Sequence, residues 1–300
     1  MNGIILKALS GFYYVSSRGS LYECRARGNF RKSGITPLVG DNVEFTATDS
    51  THGVVESINP RKSALLRPPV ANIDKLFIVS SYTTPAPDAL LIDRMCANAI
   101  LHGIEPIIVF NKCDTGDFAT FVKIYTNAGF KTYTVSATEG VGIEALQSEV
   151  TDCICAFAGN SGVGKSSLLN ALFGDLNITT GDVSDKLGRG RHTTRHTELY
   201  PHNLGGFIAD TPGFSSLETG RDDLEFKAHL VECFPDIEKF ADGCRFATCT
   251  HTKEDGCNVL AAMKDGEIET SRHQSYLTLF NEMKDLKPWE QSKHQNFKKR

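Results

Sequence analysis

The chain has 300 residues, of which 40% are hydrophobic and 23% charged, with a formal net charge of −4. That composition excludes disordered, collagenous and coiled-coil proteins, and the length leaves room for about two domains at the usual ~150 residues each. The longest apolar runs, such as Cys153–Ala158, fall far short of the roughly 20 residues a membrane helix needs, so no membrane partner is expected.

Residues 1–68 predict a small β-barrel. Short strands are expected at 11–15, 21–26, 41–45 and 53–58, separated by Ser, Arg and Gly turns. Asn59-Pro60-Arg61-Lys62 and Arg67-Pro68-Pro69 read as the linker out of it. From residue 73 the grain changes. The continuous apolar run 75–80 marks a strand buried on both faces. A helix follows over 88–102, with Asp88 as cap and Gly103 as stop. Strands at 106–110, 131–135, 154–158 and 206–209 then alternate with helices near 118–128, 142–150 and 165–173. Strand–helix alternation predicts a parallel sheet with helices on both faces. Beyond residue 224 the pattern is mainly helical, with a cysteine cluster at 244–257 and a basic tail. The expected domains are 1–68, 69–224 and 225–300.

Charge is unevenly spread. Residues 1–68 hold nine Lys/Arg against five Asp/Glu, and 284–300 hold six against two. The middle is acidic, so the two ends are expected to touch a polyanion. Lys7 interrupts the apolar stretch of the first 14 residues and no cleavage site follows, so the expected compartment is the cytoplasm. Nine scattered cysteines then suggest free thiols plus a metal site.

The most specific motif is Gly159-Asn160-Ser161-Gly162-Val163-Gly164-Lys165-Ser166, between the strand 154–158 and a helix. This is the setting a phosphate loop requires. Glycines let backbone N–H groups turn toward a β-phosphate, Lys165 reaches the β and γ oxygens, and the Ser166 hydroxyl ligates Mg²⁺. Ser167, next along the helix, is included in the expected nucleotide site. Asn111-Lys112-Cys113-Asp114 follows another apolar strand. The Asp114 carboxylate can accept two hydrogen bonds from a guanine edge, which adenine cannot supply. Lys112 can lie over the base and Asn111 can tie loops together. In Asp210-Thr211-Pro212-Gly213, Asp210 is expected to hold Mg²⁺ through water and the Gly213 N–H to sense the γ-phosphate. Ser136-Ala137 supplies a backbone N–H for the base oxygen.

All four motifs end predicted strands, where open α/β sheets bind ligands. Together they read as a guanine-nucleotide domain with GTP/GDP as ligand. Their order is unusual: the base-reading motifs at 111–114 and 136–137 precede the phosphate loop and the 210–213 motif. The fold class expected is therefore an α/β P-loop GTPase domain that is circularly permuted, between an N-terminal β-barrel and a C-terminal, mainly helical domain.

Two further clusters carry chemistry. Cys244-x4-Cys249-x-His251-x5-Cys257 offers three thiolates and one imidazole, enough for a tetrahedral zinc shell. The bland alternative, unrelated buried cysteines, sits poorly with the polar residues between them. Residues 188–196 lie where the first switch belongs. Thr194 is the expected Mg²⁺ and γ-phosphate ligand, with Thr193 as fallback. The basic residues around it read either as a solvated loop or as an RNA phosphate contact. Phe214 stands where related GTPases carry a water-orienting Gln. Slow intrinsic hydrolysis follows, with His192 a candidate for orienting water or, equally, a residue that contacts RNA or nothing. Trp289 either docks the tail or stacks on a base. Tyr13, Tyr14, Arg25, Arg27, Phe30, Arg31 and Lys32 are either barrel core or an RNA face.

The permuted motif order, the N-terminal barrel and the Cys/His cluster resemble the bacterial ribosome small-subunit-dependent GTPase A family (RsgA/YjeQ), across essentially the whole chain. The resemblance implies an OB-fold barrel, a permuted GTPase domain and a zinc domain holding one structural Zn²⁺. It implies that the 30S subunit and its 16S rRNA are partners, that GTP hydrolysis is stimulated by the subunit, and that the role is late subunit maturation. A monomer is expected. The alternative is a nucleotide-gated RNA-binding module acting on another RNA or ribonucleoprotein.

Overall fold

The computed structural model describes residues 1–28, 30, 35–66, 68–83, 85–174, 197–210 and 223–285. Strands β1 (Asn2–Leu9), β2 (Phe12–Ser17), β3 (Ser20–Ala26), β4 (Asn42–Ala47) and β5 (His52–Ile58) form a closed barrel. Their order is β1-β2-β3-β5-β4, and β4 returns to pair with β1. β3 and β5 run parallel and the other pairs antiparallel. This Greek-key closure is the OB topology. Ile5, Val15, Cys24, Val43, Phe45 and Val55 point inward and are fully or almost fully buried. β1 lies outside the strands read from sequence. Lys7 breaks its alternation, and in the fold that lysine is held by a partner, Glu198, 3.1 Å away.

Leaving the barrel, Arg61 donates to both oxygens of the fully buried Asp41 at 2.7 and 2.8 Å. The hairpin β6 (Ala64–Leu66) and β7 (Pro69–Ala71) follows. The side chain of Asn72 then accepts from Lys62 N–H and donates to Gly40 O, each at 2.9 Å. These contacts pin the linker to the barrel.

The second sheet contains β8 (Lys75–Ser81), β9 (Glu105–Asn111), β10 (Lys131–Val135), β11 (Cys153–Ala158), β12 (Glu198–Pro201) and β13 (Gly206–Asp210). Their order is β10-β9-β8-β11-β13-β12, parallel except for β12. The helices are α1 (Ala89–Leu101), α2 (Ala119–Asn127), α3 (Ile143–Val150) and α4 (Lys165–Phe173). Asp88 caps α1 by accepting the Leu91 N–H at 3.2 Å. The phosphate-loop strand β11 sits mid-sheet, yet β8, β9 and β10 precede it in sequence. The chain reaches it from α3 by a two-residue turn, in which the Asp152 N–H donates to Gly205 O at 3.0 Å. That short connection is the join of the permutation.

β12 also pairs antiparallel with β1, through Lys7 and Glu198, so barrel and GTPase sheet are continuous. The C-terminal helices are α5 (Asp223–Ala228), α6 (Pro235–Glu238), α7 (Asn258–Lys264) and α8 (Thr270–Met283). Phe226, Leu230, Phe234, Ile237, Val259, Tyr276 and Leu279 form their core, which includes Ala97 of α1. No helix among the described residues is long and apolar enough to cross a membrane.

Candidate nucleotide-binding site and metal centre

The sequence motifs converge on one edge of the sheet. β11 ends at Ala158 and delivers residues 159–164, β9 delivers Asn111, and β10 delivers Ser136. The phosphate loop needs its glycines for two distinct reasons. Gly159, Gly162 and Gly164 have φ of +137°, +85° and +91°, which other L-residues rarely adopt. In addition, a Cβ on Gly159 would run into Val79 O, and one on Gly164 into the Asn111 side-chain amide. The Lys165 ammonium donates to Gly159 O and Asn160 O, both at 2.8 Å, so it lies across the loop. Ser161 is exposed, Val163 and Ser166 are buried, and Ser167 follows in the first turn of α4. The helix dipole and the turned backbone make this end of α4 an anion site.

Asn111 is 1% exposed and acts as the tie among three loops. Its Nδ2 donates to Val163 O at 3.0 Å, and its Oδ1 accepts from Ala137 N–H at 3.2 Å. Lys112, at φ +62°, donates to Gly162 O at 2.7 Å. Asp114 stands exposed in a 3₁₀ turn over Cys113–Thr115. Ser136 is fully buried, and its hydroxyl accepts the Glu139 N–H at 3.3 Å. Asp210 ends β13 at the same edge. Gly213, Phe214, His192, Thr193, Thr194 and Trp289 lie outside the described residues.

Cys244, Cys249, His251 and Cys257 bring their ligand atoms within 4.8 Å of one another. His251 Nδ1 lies 3.7 Å from Cys244 Sγ and 3.5 Å from Cys257 Sγ. A tetrahedral zinc shell, with Zn–S about 2.3 Å and Zn–N about 2.0 Å, has edges of roughly 3.5–3.8 Å. The donor set therefore fits such an ion. Burial, only partly offset by a backbone hydrogen bond at His251, pushes the pKa of the Cys249 thiol up, and binding an ion as thiolate would release its proton.

Residues that the spacing alone did not single out hold this loop. Glu254 accepts the N–H groups of Thr250, Thr252 and Lys253, each at 2.9 Å, together with the Thr250 hydroxyl. Burial alone would raise its pKa, but these donors hold the carboxyl well below the usual range. His273 bonds the carbonyl of His251 at 2.8 Å, and Tyr276 donates to Thr250 O at 3.0 Å.

On the barrel, Tyr13 and Phe30 are partly buried and pack against the core. Tyr14 donates to Glu23 at 3.1 Å, Arg25 lies 4.7 Å over the Phe12 ring, and Arg27 pairs with Glu56. Arg31 and Lys32 lie outside the described residues.

The family model described as RsgA GTPase matches residues 58–220, and that of the RsgA N-terminal domain matches 2–55. The chain belongs to the RsgA family. A protein of Halalkalibacterium halodurans named small ribosomal subunit biogenesis GTPase RsgA is 46% identical over 288 residues, covering 94% of this chain and 97% of the relative. A protein of the same name from Caldanaerobacter subterraneus is 42% identical, covering 95% and 96%. Among solved structures, YloQ, titled a circularly permuted GTPase, superposes with a TM-score of 0.79 at 37% identity, covering 96% of both chains. YjeQ from Thermotoga maritima gives 0.78 at 32%, covering 95% and 99%. The chain is thus a circularly permuted GTPase of the RsgA family, with an OB-like barrel and a Cys₃His cluster able to hold a metal ion.

Proposed function

We propose that this GTPase binds the small ribosomal subunit, contacts its 16S rRNA, and acts in late subunit maturation. The observation that supports this is near full-length identity of 42–46% to relatives named small ribosomal subunit biogenesis GTPase. The basic ends of the chain, at 1–68 and 284–300, support an RNA partner.

At the nucleotide, Gly159–Ser167 cradle the phosphates with backbone N–H groups and Lys165. Asp114 reads the guanine N1–H and 2-amino group, with Ser136-Ala137 closing on the base. Mg²⁺ neutralises charge on the β- and γ-phosphates when bound with GTP; Ser166, Thr194 and Asp210 would hold it. Phe214 cannot orient water, so hydrolysis is slow until the subunit supplies or positions the missing group, with His192 the candidate within the chain. The cysteine cluster holds one structural Zn²⁺, since its four protein ligands leave no open position. The protein works as a cytoplasmic monomer, divided at about 1–68, 69–224 and 225–300.

GTP turnover, measured alone and with added small or large subunits, tests the reading. A slow basal rate that rises many-fold with small subunits only is expected. Equal stimulation by free rRNA would favour an RNA-gated module instead. No response at all would refute the ribosomal role. His192→Ala with unchanged stimulated turnover would remove His192 from catalysis.

A further inference from the structure

The guanine-reading loop is braced by a side chain that no sequence motif includes. Tyr82 follows β8 directly, and Ser81 at the end of β8 is in register with Asn111 at the end of β9. Tyr82 therefore sits beside the start of the Asn111–Asp114 loop. The Ser81 hydroxyl donates to Thr83 O at 3.0 Å or Pro85 O at 3.2 Å and fixes the turn that carries Tyr82.

The Tyr82 ring lies flat against Gly116. A Cβ on Gly116 would fall onto Cγ, Cδ1 and Cε1 of that ring. The backbone of Gly116 is extended, with φ 174° and ψ 177°, so its conformation does not demand glycine; the close approach of the ring does. Tyr82 also meets Phe118 edge-on at 5.6 Å, and Phe118, 2% exposed, stacks on Phe110 at 4.9 Å. Tyr82 itself remains 42% exposed, unusual for a ring with so defined a seat.

The 3₁₀ turn bearing Asp114 is thus held at both ends. Asn111 ties its start to the phosphate loop, and the Tyr82–Gly116–Phe118 contact ties its finish to the strand β8 scaffold. The geometry points to Tyr82 as a positioning residue for Asp114, which sets guanine affinity and selectivity without touching the nucleotide. This rests on Asp114 reading the base. A carboxylate gains its selectivity from two hydrogen bonds of defined geometry, and such bonds weaken steeply when misaligned. Loss of the brace should cost most for the ligand that uses both bonds.

The experiment measures GDP and IDP affinity of the full chain by calorimetry, because IDP lacks only the 2-amino group. A hydrogen bond to a charged acceptor gives the native protein a GDP preference of about tenfold or more. Tyr82→Ala should weaken GDP by about tenfold and IDP by less than threefold, since only GDP uses both bonds. Tyr82→Phe should behave as the native protein. Equal losses for both nucleotides, or a lowered unfolding temperature with unchanged affinities, would overturn the proposal and leave Tyr82 as packing. Should Tyr82→Ala fail to fold, Gly116→Ala displaces the ring from the other side and should give the same selective loss; equal losses overturn it. Asp114→Asn tests the underlying reading separately. Its amide N–H can meet the 2-oxo group of XDP, so it should exchange GDP for XDP preference. Absence of that exchange would remove Asp114 from base reading, and the role of Tyr82 with it.

Discussion

Arg272 gives the sharpest test of how the C-terminal helices are held. It is 1% exposed and lies on α8. Its Nη1 donates to Asp93 of α1 at 2.5 Å, and its Nε and Nη2 donate to Asp236 of α6 at 3.0 and 2.8 Å. The guanidinium is also packed against Phe234 and Phe130, at 4.7 and 5.1 Å. Arg272→Met keeps the volume but strands two buried carboxylates. Removing one partner of a buried pair typically costs about 3–5 kcal/mol, and the second carboxylate puts this site at the upper end. Asp93→Asn is the informative control. It keeps an acceptor for Arg272, and two carboxylates already share one cation. Burial, outweighing the attraction of Arg272, pushes the Asp93 pKa up. Its protonated form favours folding below the usual carboxylate range, and that contribution is lost as pH rises. Asp93→Asn should therefore cost under about 1 kcal/mol and flatten this pH dependence. Urea unfolding of the metal-loaded chain, followed by circular dichroism across pH, measures both. Arg272→Met falling within about 1 kcal/mol of the native chain, or Asp93→Asn costing as much as Arg272→Met, would refute the reasoning.

Three other outcomes are expected. Gly164→Ala forces a Cβ onto the Asn111 amide at φ +91°, so GDP binding measured by calorimetry should be lost, whereas Gly28→Ala, with open space around it and no left-handed backbone, should leave GDP affinity unchanged. Cys249→Ser, or chelation, should take the zinc content from one ion per chain to none by elemental analysis and expose the 244–257 loop to protease. Burial would raise the pKa of Glu149, but hydrogen bonds from Lys75, Tyr133 and Lys131 outweigh it and hold the carboxyl at about 2. Its contribution is therefore complete above the ordinary Glu range and lost as pH falls toward about 2, so Glu149→Gln should flatten the acid limb of a stability–pH curve.

Legibility in the sequence followed locality. The phosphate loop is contiguous, its glycines have steric causes within a few residues, and its strand and helix adjoin it. The permuted order was readable because each motif ends its own apolar strand. β1 was not, since Lys7 breaks the pattern and its partner Glu198 is remote. The barrel aromatics resisted assignment because Phe12, Tyr13 and Tyr14 are apolar on both faces, and only closure of the barrel turns Tyr13 inward. The triad of Arg272 left no local trace: Asp93 is 179 residues away in sequence. Nor does any pattern mark Glu254, which acts by receiving backbone N–H groups in the loop between Cys249 and Cys257.

Permutation joins the 210–213 motif to the C-terminal helices directly, and sequence alone suggests that loss of the γ-phosphate would move them. The contacts argue for a different route. Phe226 of α5 shares a core with Ala97, Leu90 and Leu101, while α8 holds α1 through Arg272–Asp93 and the bidentate Arg94–Glu282 pair, both bonds 2.7 Å. Helix α1 therefore belongs mechanically with the C-terminal helices. Separating them would expose that core and break the buried Arg272–Asp93 contact. Reversing a two-state population from 1:99 to 99:1 already takes about 5.5 kcal/mol of differential nucleotide binding. Helix α1 is also seated on the sheet, with Ile92, Met95 and Cys96 buried in the core that holds Leu76 and Ile78 of β8, so the cheaper response keeps α1, α8 and the sheet together. Spin labels at Asn98 on α1 and Gln274 on α8 should therefore report the same separation with GDP and with a non-hydrolysable GTP analogue. A separation that changes with the nucleotide would show that the triad opens, and would return the motion to the direct connection.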